Sequence, residues 1–279
     1  MAYDFACLRI EIGEGVVWAT IEHPPINLMT PALFADLARF AGEVAADDDV
    51  RVVVLRSDDP DFFIPHFDVE AILGFPTDAP PARAEGVSSN PFHAMCETYR
   101  RMPKATLVEI AGRVGGGGSE LVASCDMRFG AIGRTVISQP EVAIGILPGG
   151  SGTQRLPRLL GRGRALEMIL GCEDLDAETA ERWGYLNRAL PPDELRPFVD
   201  RLARRIARFP ARAIASAKKL VVDAEGDLRA GLVEEDFLFS ELIRTPEARR
   251  RMKRFLEVGG QTREGELRLN ELWQEMLRD

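Results

Sequence analysis

The chain has 279 residues, which suffices for one large domain or for a core with a helical appendage. Its 35 basic and 44 acidic residues give a net charge of −9, which disfavours nucleic-acid binding. No apolar run approaches the roughly 20 residues that a membrane span requires. We therefore expect a cytoplasmic protein without membrane or nucleic-acid partners, with four buried, unpaired thiols at Cys7, Cys96, Cys125 and Cys172.

Up to residue 91, strand and helix patterns alternate. Short apolar segments predict strands at Leu8–Glu11, Val16–Ile21 and Val50–Leu55, the last of them buried on both faces. Thr30 followed by Pro31 predicts a helix start, because Thr can accept a free N–H and Pro suits the first helical position. Residues 58–66 are expected to form a loop before a short helix from Asp68. The Pro-, Ala- and Ser-rich stretch 74–91 is expected to be a mobile loop.

The alternation continues and then changes character. The predicted order is helix Phe92–Arg101, strand Thr106–Ile110, helix Gly117–Ser124 and strand Met127–Phe129. From Ala165 onward only helices are predicted, at Ala177–Trp183, Glu194–Phe209, Ala211–Ala224, Leu228–Ile243, Glu247–Glu257 and Gly265–Leu277. This pattern predicts an α/β core over residues 1–200 followed by a helical C-terminal region over residues 201–279.

Two glutamates stand in settings that restrict the backbone. Glu120 follows the glycine run Gly115–Gly118, and Glu141 follows Pro140. A glycine-rich turn that enters a helix offers free N–H groups to developing negative charge. Two carboxylates beside such a site could add or remove water next to a carbonyl. The alternatives are a flexible glycine loop, a Glu120 that only stabilises the helix dipole, and a solvated Glu141.

Other motifs give weaker signals. The glycines lack the Gly-Lys-Ser/Thr that completes a phosphate loop, and no catalytic triad can be assembled around Ser119. The three histidines have no metal-ligand spacing, so no metal site is predicted, and His23 and His93 are expected at the surface or in loops. The basic run Arg249–Arg254 is expected to be a solvated helix face, with contact to an anion or another subunit as the alternative.

Three motifs follow one another in the chain, namely Gly112-Arg-Val-Gly-Gly-Gly-Gly-Ser-Glu-Leu121, Gln139-Pro-Glu141 and Pro148-Gly-Gly-Ser-Gly-Thr-Gln-Arg-Leu156. Together they resemble the enoyl-CoA hydratase/isomerase (crotonase) family. The resemblance extends from about Phe5 to Leu256. It implies an α/β fold, a crotonase-like spiral of ββα units with a helical trimerisation region, and therefore a homo-oligomer, either a trimer or a dimer of trimers.

The resemblance also implies a site and a reaction. Backbone N–H groups of Gly117 and Phe67 would bind an acyl-CoA thioester oxygen, and Glu120 and Glu141 would be the catalytic residues of a reversible syn-type hydration. No cofactor is implied beyond the CoA carried by the substrate. A double-bond isomerase and a non-catalytic acyl-CoA-binding homologue remain the alternatives. The substrate-binding candidates are Ile64, Pro65, His66, Asp68, Gly116 and Pro140, although Asp68 also suits a helix cap.

Two further features leave alternatives open. Pro65-His66 replaces the Ala-Gly pair usual in the family, so His66 either adds a favourable charge beside the site or faces solvent. The helical tail carries more apolar residues than a lone appendage would bury, which predicts a homo-oligomer unless these residues pack on their own core. They are Phe237, Leu238, Leu242, Phe255 and Leu256.

Overall fold

The computed structural model describes residues 3–78, 90–226 and 229–276, without the side chains of 229–231 and 234. Most of the loop predicted at residues 74–91 therefore lies outside the described residues. Four free cysteines are buried, as predicted. In the part of the chain that the structure describes, no helix is long and apolar enough to cross a membrane.

Strands occur along the first two thirds of the chain. They are β1 (Leu8–Gly13), β2 (Val16–Ile21), β3 (Val52–Ser57), β4 (Phe62–Ile64), β5 (Ala105–Ile110), β6 (Arg113–Gly115), β7 (Met127–Ala131), β8 (Val136–Ser138), β9 (Leu175–Asp176) and β10 (Arg188–Leu190).

Helices follow individual strands and then dominate the C-terminal part. They are α1 (Pro31–Ala45), α2 (Val69–Leu73), α3 (Pro91–Arg101), α4 (Gly116–Ala123), α5 (Gly152–Leu160), α6 (Arg162–Gly171), α7 (Ala177–Trp183), α8 (Pro192–Ala207), α9 (Ala211–Asp223), α10 (Arg229–Leu242), α11 (Pro246–Glu257), α12 (Arg263–Leu267) and α13 (Leu269–Met276). A short 3₁₀ turn covers Glu141–Ile144.

From β3 to β8, successive strands alternate between two sheets. The larger sheet has the order β1-β2-β3-β5-β7-β10, and the smaller has the order β4-β6-β8-β9. Neighbours β2, β3, β5, β7 and β10 are parallel, as are β4, β6 and β8. Each pair β3–β4, β5–β6 and β7–β8 thus adds one strand to each sheet before the chain continues into helices. This repetition confirms the expected spiral of ββα units.

The central strands β2, β3, β5 and β7 of the larger sheet are buried on both faces, as the dense apolar run of β3 predicts. Because side chains alternate along a strand, Val53 and Leu55 join the main core, while Val52 and Val54 pack on the opposite face. That opposite face is covered by α8, whose Asp200 carboxylate accepts a hydrogen bond from the Trp18 indole at 2.8 Å.

The helix starts were predicted correctly where a capping residue precedes them. Thr30 accepts the N–H of Leu33 at the start of α1, and Asp68 accepts those of Glu70 and Ala71 at the start of α2.

Several element predictions were wrong. The predicted loop 58–66 contains β4, and the region predicted to be only helical contains β9 and β10. These strands have two or three residues, too few for an alternating pattern to be visible in the sequence, and they exist because neighbouring strands supply their hydrogen bonds. The helix predicted at Gly265–Leu277 is two helices, since Arg268 between them leaves helical geometry.

The C-terminal helices build a third apolar cluster. It unites α2 and the 3₁₀ turn with α11 and α13, and it includes Phe255, with Leu242 and Leu256 packed against it. These tail residues therefore pack on their own chain, the alternative to subunit contact, whereas Leu238 stays 39% exposed. The basic run of α11 lies beside Glu247, which pairs with Arg250 and Arg251, as expected of a solvated face. The predicted boundary at residue 200 falls within α8.

Candidate active site

The glycine run lies where β6 turns into α4. A Cβ on Gly118 would lie 2.2 Å from the Ile64 carbonyl oxygen in β4, so glycine is required for α4 to approach that strand. At Gly116 the backbone has a φ of +48°, and a Cβ there would lie 3.0 Å from the His66 Cβ and 3.1 Å from Glu141 Oε1. The glycines are thus fixed by close contact with the chain itself, and the flexible-loop alternative is wrong.

Two backbone N–H groups point away from the secondary structure beside this turn. Gly117 is the second residue of α4, where an N–H has no acceptor inside the helix. Phe67 forms a parallel bridge with Met29 in which Met29 donates to His66 and Asp68 donates to Met29. The Phe67 N–H therefore points to the opposite side. A Cβ on Gly117 would lie 3.3 Å from the Phe67 Cβ, so the two donors are neighbours.

Glu120 lies one turn into α4 and is 3% exposed. Its Oε1 accepts the N–H of Gly150 at 2.8 Å and that of Gly152 at 2.7 Å. Burial and the charges of Glu141 and Glu235 raise the pKa of Glu120 well above its ordinary value, against the lowering effect of the two N–H donors. Glu120 is therefore a buried, oriented carboxyl with a raised affinity for a proton, and more than a group that stabilises the helix dipole.

Glu141 begins the 3₁₀ turn and is 8% exposed, so the solvated-loop alternative is wrong. Burial raises its pKa to about 7, although the nearby His66 and the Gln139 amide, 3.3 Å from Oε2, act to lower it. The pKa values of Glu120 and Glu141 are both raised, and interacting carboxyls of this kind titrate as a pair. Together they can hold or release a proton near neutral pH.

Both carboxylates border one apolar cavity of about 110 Å³. Its wall also includes Phe67, Gly117, His66 and Pro140. Aromatic and aliphatic side chains from α2, α3, the 3₁₀ turn and the C-terminal helices supply the rest, including Val69, Ile72, Phe75, Phe92, Ile144, Ile146, Phe239, Phe255 and Trp273. A few polar groups thus border a mostly hydrophobic cavity, the usual form of a small-molecule site.

Four of the predicted substrate-binding residues lie outside this lining. The side chain of Asp68 caps α2 and accepts the Gln261 amide at 3.1 Å, which confirms its role as a helix cap. Ile64 is fully buried beneath Gly118, and the carbonyl of Pro65 faces Gly115. Gly116 lies against His66 and Glu141 and is not part of the lining.

Two histidines occupy positions that the sequence did not indicate. His66 is 5% exposed, so the solvent-facing alternative is wrong, and its Nε2 lies 2.9 Å from Glu266 Oε1. His93 is also buried, contrary to the prediction, and its Nε2 lies 3.1 Å from Glu235 Oε1.

The two glutamates that pair with these histidines were missed altogether. Glu235 accepts the backbone N–H of Thr153 at 3.0 Å, directly after the loop that holds Glu120. Glu235 and Glu266 belong to helices 142 and 200 residues away from their histidines, and no local sequence signal marks such pairs. Among the residues that the structure describes, no three acidic, Cys or His side chains are grouped to hold a metal ion.

Comparison with known proteins agrees with this geometry. The family model for enoyl-CoA hydratase/isomerase matches residues 11–264. A Mycobacterium bovis protein named probable enoyl-CoA hydratase echA8 is 37% identical over 92% of this chain and 96% of its own length. The short-chain-enoyl-CoA hydratase of Clostridium acetobutylicum is 28% identical over 87% of this chain and 91% of its own. A crystal structure from Streptomyces avermitilis, provisionally named an enoyl-CoA hydratase, superposes with a TM-score of 0.88 at 37% identity, covering 99% of this chain and all of its own. The chain belongs to the enoyl-CoA hydratase/isomerase (crotonase) family.

Proposed function

We propose that the protein is a 2-enoyl-CoA hydratase, which reversibly adds water across the α,β double bond of an acyl-CoA thioester. The observation that carries the proposal is the pair of buried carboxyls, Glu120 and Glu141, whose pKa values are both raised at the wall of one apolar cavity. Such a pair provides an acid and a base near neutral pH without a metal ion. The enoyl-CoA hydratases among its relatives support the same reaction.

The thioester carbonyl would lie between the N–H groups of Gly117 and Phe67. These donors are adjacent, and each points away from the chain's own hydrogen bonds. As water adds to Cβ, electrons move through the double bond onto the carbonyl oxygen, where two fixed N–H dipoles stabilise the enolate. One donor of this kind commonly contributes roughly 3 kcal/mol to lowering the barrier.

The two carboxyls would act on one water molecule. Glu120 accepts a proton from the water as its oxygen attacks Cβ, and Glu141 delivers a proton to Cα, so the pair gains one proton and gives up another. The Gly150 and Gly152 N–H groups fix the orientation of Glu120 for this step. CoA enters as part of the substrate, and we propose that the reaction needs no metal or redox cofactor.

A panel of 2-enoyl-CoA esters tests this function. Loss of the absorbance of the conjugated thioester is expected, with a 3-hydroxyacyl-CoA as the product identified by mass. A product of unchanged mass with a shifted double bond would instead identify an isomerase. Saturable binding of the esters without turnover would identify a non-catalytic acyl-CoA-binding homologue. Either result would overturn the proposal.

We further propose that the chain forms a homo-oligomer, either a trimer or a dimer of trimers. Support comes from apolar side chains that remain exposed outside the cavity, namely Leu166 and Leu170 on α6 and Leu220 and Val221 on α9, at 47–70%. Sedimentation equilibrium at micromolar concentration is expected to give three or six times the chain's mass of 30.8 kDa. A mass equal to that of one chain would contradict the proposal.

A further inference from the structure

We propose that Glu266 is a positioning residue for the proposed hydration: it holds His66 as an imidazolium against the Phe67 carbonyl and thereby sets both the loop that carries the Phe67 N–H and the positive charge that faces Glu141. The inference rests on the proposed function for its catalytic meaning. The arrangement lies at Pro65-His66, directly before the proposed donor Phe67.

The hydrogen bonds of His66 define its protonation state. Nδ1 lies 2.8 Å from the Phe67 carbonyl oxygen, which can only accept, so Nδ1 carries a proton. Nε2 lies 2.9 Å from Glu266 Oε1, which also accepts the Gln261 N–H, and the pKa of Glu266 is held below its ordinary value, so Nε2 donates to a carboxylate. A histidine that donates from both nitrogens is an imidazolium. The pair is fully enclosed, with the Phe255 ring 5.6 Å from the imidazole.

Glu266 is itself held in place by the segment that precedes it. The same Oε1 accepts the backbone N–H of Gln261 at 2.7 Å. The Gln261 side chain in turn accepts the N–H of Val69 and donates to Asp68 at 3.1 Å. The segment Gln261–Glu266 therefore makes hydrogen bonds to residues on both sides of Phe67. The backbone of the proposed oxyanion donor is fixed from the C-terminal helices, 200 residues away in sequence.

Charges from two other elements act on His66, namely Glu266 on α12 and Glu141 in the 3₁₀ turn. Arg113 on β6 acts in turn on Glu266. Burial lowers the pKa of His66, but Glu266, the Phe67 carbonyl and Glu141 together raise it above its ordinary value. Burial opposes the ionisation of Glu266, yet the neighbouring His66 holds its pKa below the usual range. The imidazolium also acts to lower the pKa of Glu141.

Glu266→Gln removes the negative charge and keeps the shape of the side chain. In the wild type one oxygen, Oε1, makes both bonds, so the glutamine oxygen can keep the Gln261 N–H in place while His66 loses its ionic partner. Without the imidazolium, the pKa of Glu141 rises. We expect the wild-type kcat/KM to increase with pH along a limb near 7, where the carboxyl pair loses its first proton, and this limb to move upward by roughly one pH unit in the variant.

The matched control is Glu264→Gln, which changes an exposed glutamate on the same helix. Its pH limb should coincide with that of the wild type. His66→Gln should move the limb in the same direction as Glu266→Gln. The double variant should move it no further, because each change alone already removes the imidazolium charge of His66. A purely structural role would lower stability and kcat but leave the limb in place. An unmoved limb in Glu266→Gln, or equal movement in Glu264→Gln, would overturn the proposal.

A titration without substrate provides a readout that does not depend on turnover. The chain has only three histidines, so ring-labelled histidine gives few NMR signals, and the signal lost in His66→Gln identifies His66. Its pKa should be lower in Glu266→Gln than in the wild type. An unchanged pKa refutes the charge coupling. If no enoyl-CoA ester is turned over, the hydratase proposal fails separately, and this titration still decides whether Glu266 sets the charge on His66.

Discussion

Turnover of a 2-enoyl-CoA ester is expected to fall by a factor of about 10²–10⁴ when Glu120 is replaced by Gln, the usual contribution of a positioned acid or base. The amide matches the carboxyl in shape, and its oxygen can still accept the N–H groups of Gly150 and Gly152. The fold and the cavity should therefore persist while the proton acceptor is lost. Steady-state kinetics should show the loss in kcat, with little change in the affinity for the ester.

Glu141→Gln should cause a loss of the same order, because the amide cannot deliver a proton to Cα. The double variant is expected to lose less than the product of the two single factors, since both carboxyls act on one water. Glu181→Gln, at an exposed position on α7, is the control and should retain wild-type turnover. If either single variant kept activity within a few-fold of the wild type, that residue would have no part in the mechanism.

The parts of the site that the sequence could predict are those set by local chemistry. A glycine run before an apolar helix and a proline before Glu141 restrict the backbone within a few residues, and both glutamates lie at the cavity as expected. The same holds for the caps Thr30 and Asp68, whose side chains bond to N–H groups two or three residues ahead. Local sequence suffices wherever donor and acceptor are near neighbours in the chain.

The remaining parts depend on contacts between distant segments. His66 was open to two readings because nothing near it in sequence indicates a carboxylate, and its partner lies on α12. Glu235 likewise has no local sequence feature that distinguishes it from other acidic residues on helices. Its contact with the Thr153 N–H exists only because α10 packs beside that residue. The short strands β4, β9 and β10 also depend on distant segments, since their hydrogen-bond partners are strands elsewhere in the chain. The periodicity of apolar residues along a segment carries no information about such distant partners.

The raised pKa of Glu141 also has a consequence for stability. In the folded protein this carboxyl has a pKa of about 7, against an ordinary value of 4.5. The folded state then binds more protons than the unfolded state between these values, so the free energy of unfolding falls as pH rises through this window. One pKa unit corresponds to about 1.4 kcal/mol, so the whole effect approaches roughly 3 kcal/mol. Glu120, whose pKa is also raised, acts in the same direction.

Glu141→Gln removes this titration. Relative to the wild type, the variant is expected to gain about 2 kcal/mol in free energy of unfolding between pH 5.5 and pH 8, as measured by urea denaturation at both values. Glu181→Gln should show the same difference from the wild type at both pH values. A pH-independent difference for Glu141→Gln would mean that the carboxyl ionises normally in the folded protein. A gain would mean that Glu141 is retained at a cost in stability, which is expected of a group retained for chemistry and not for packing.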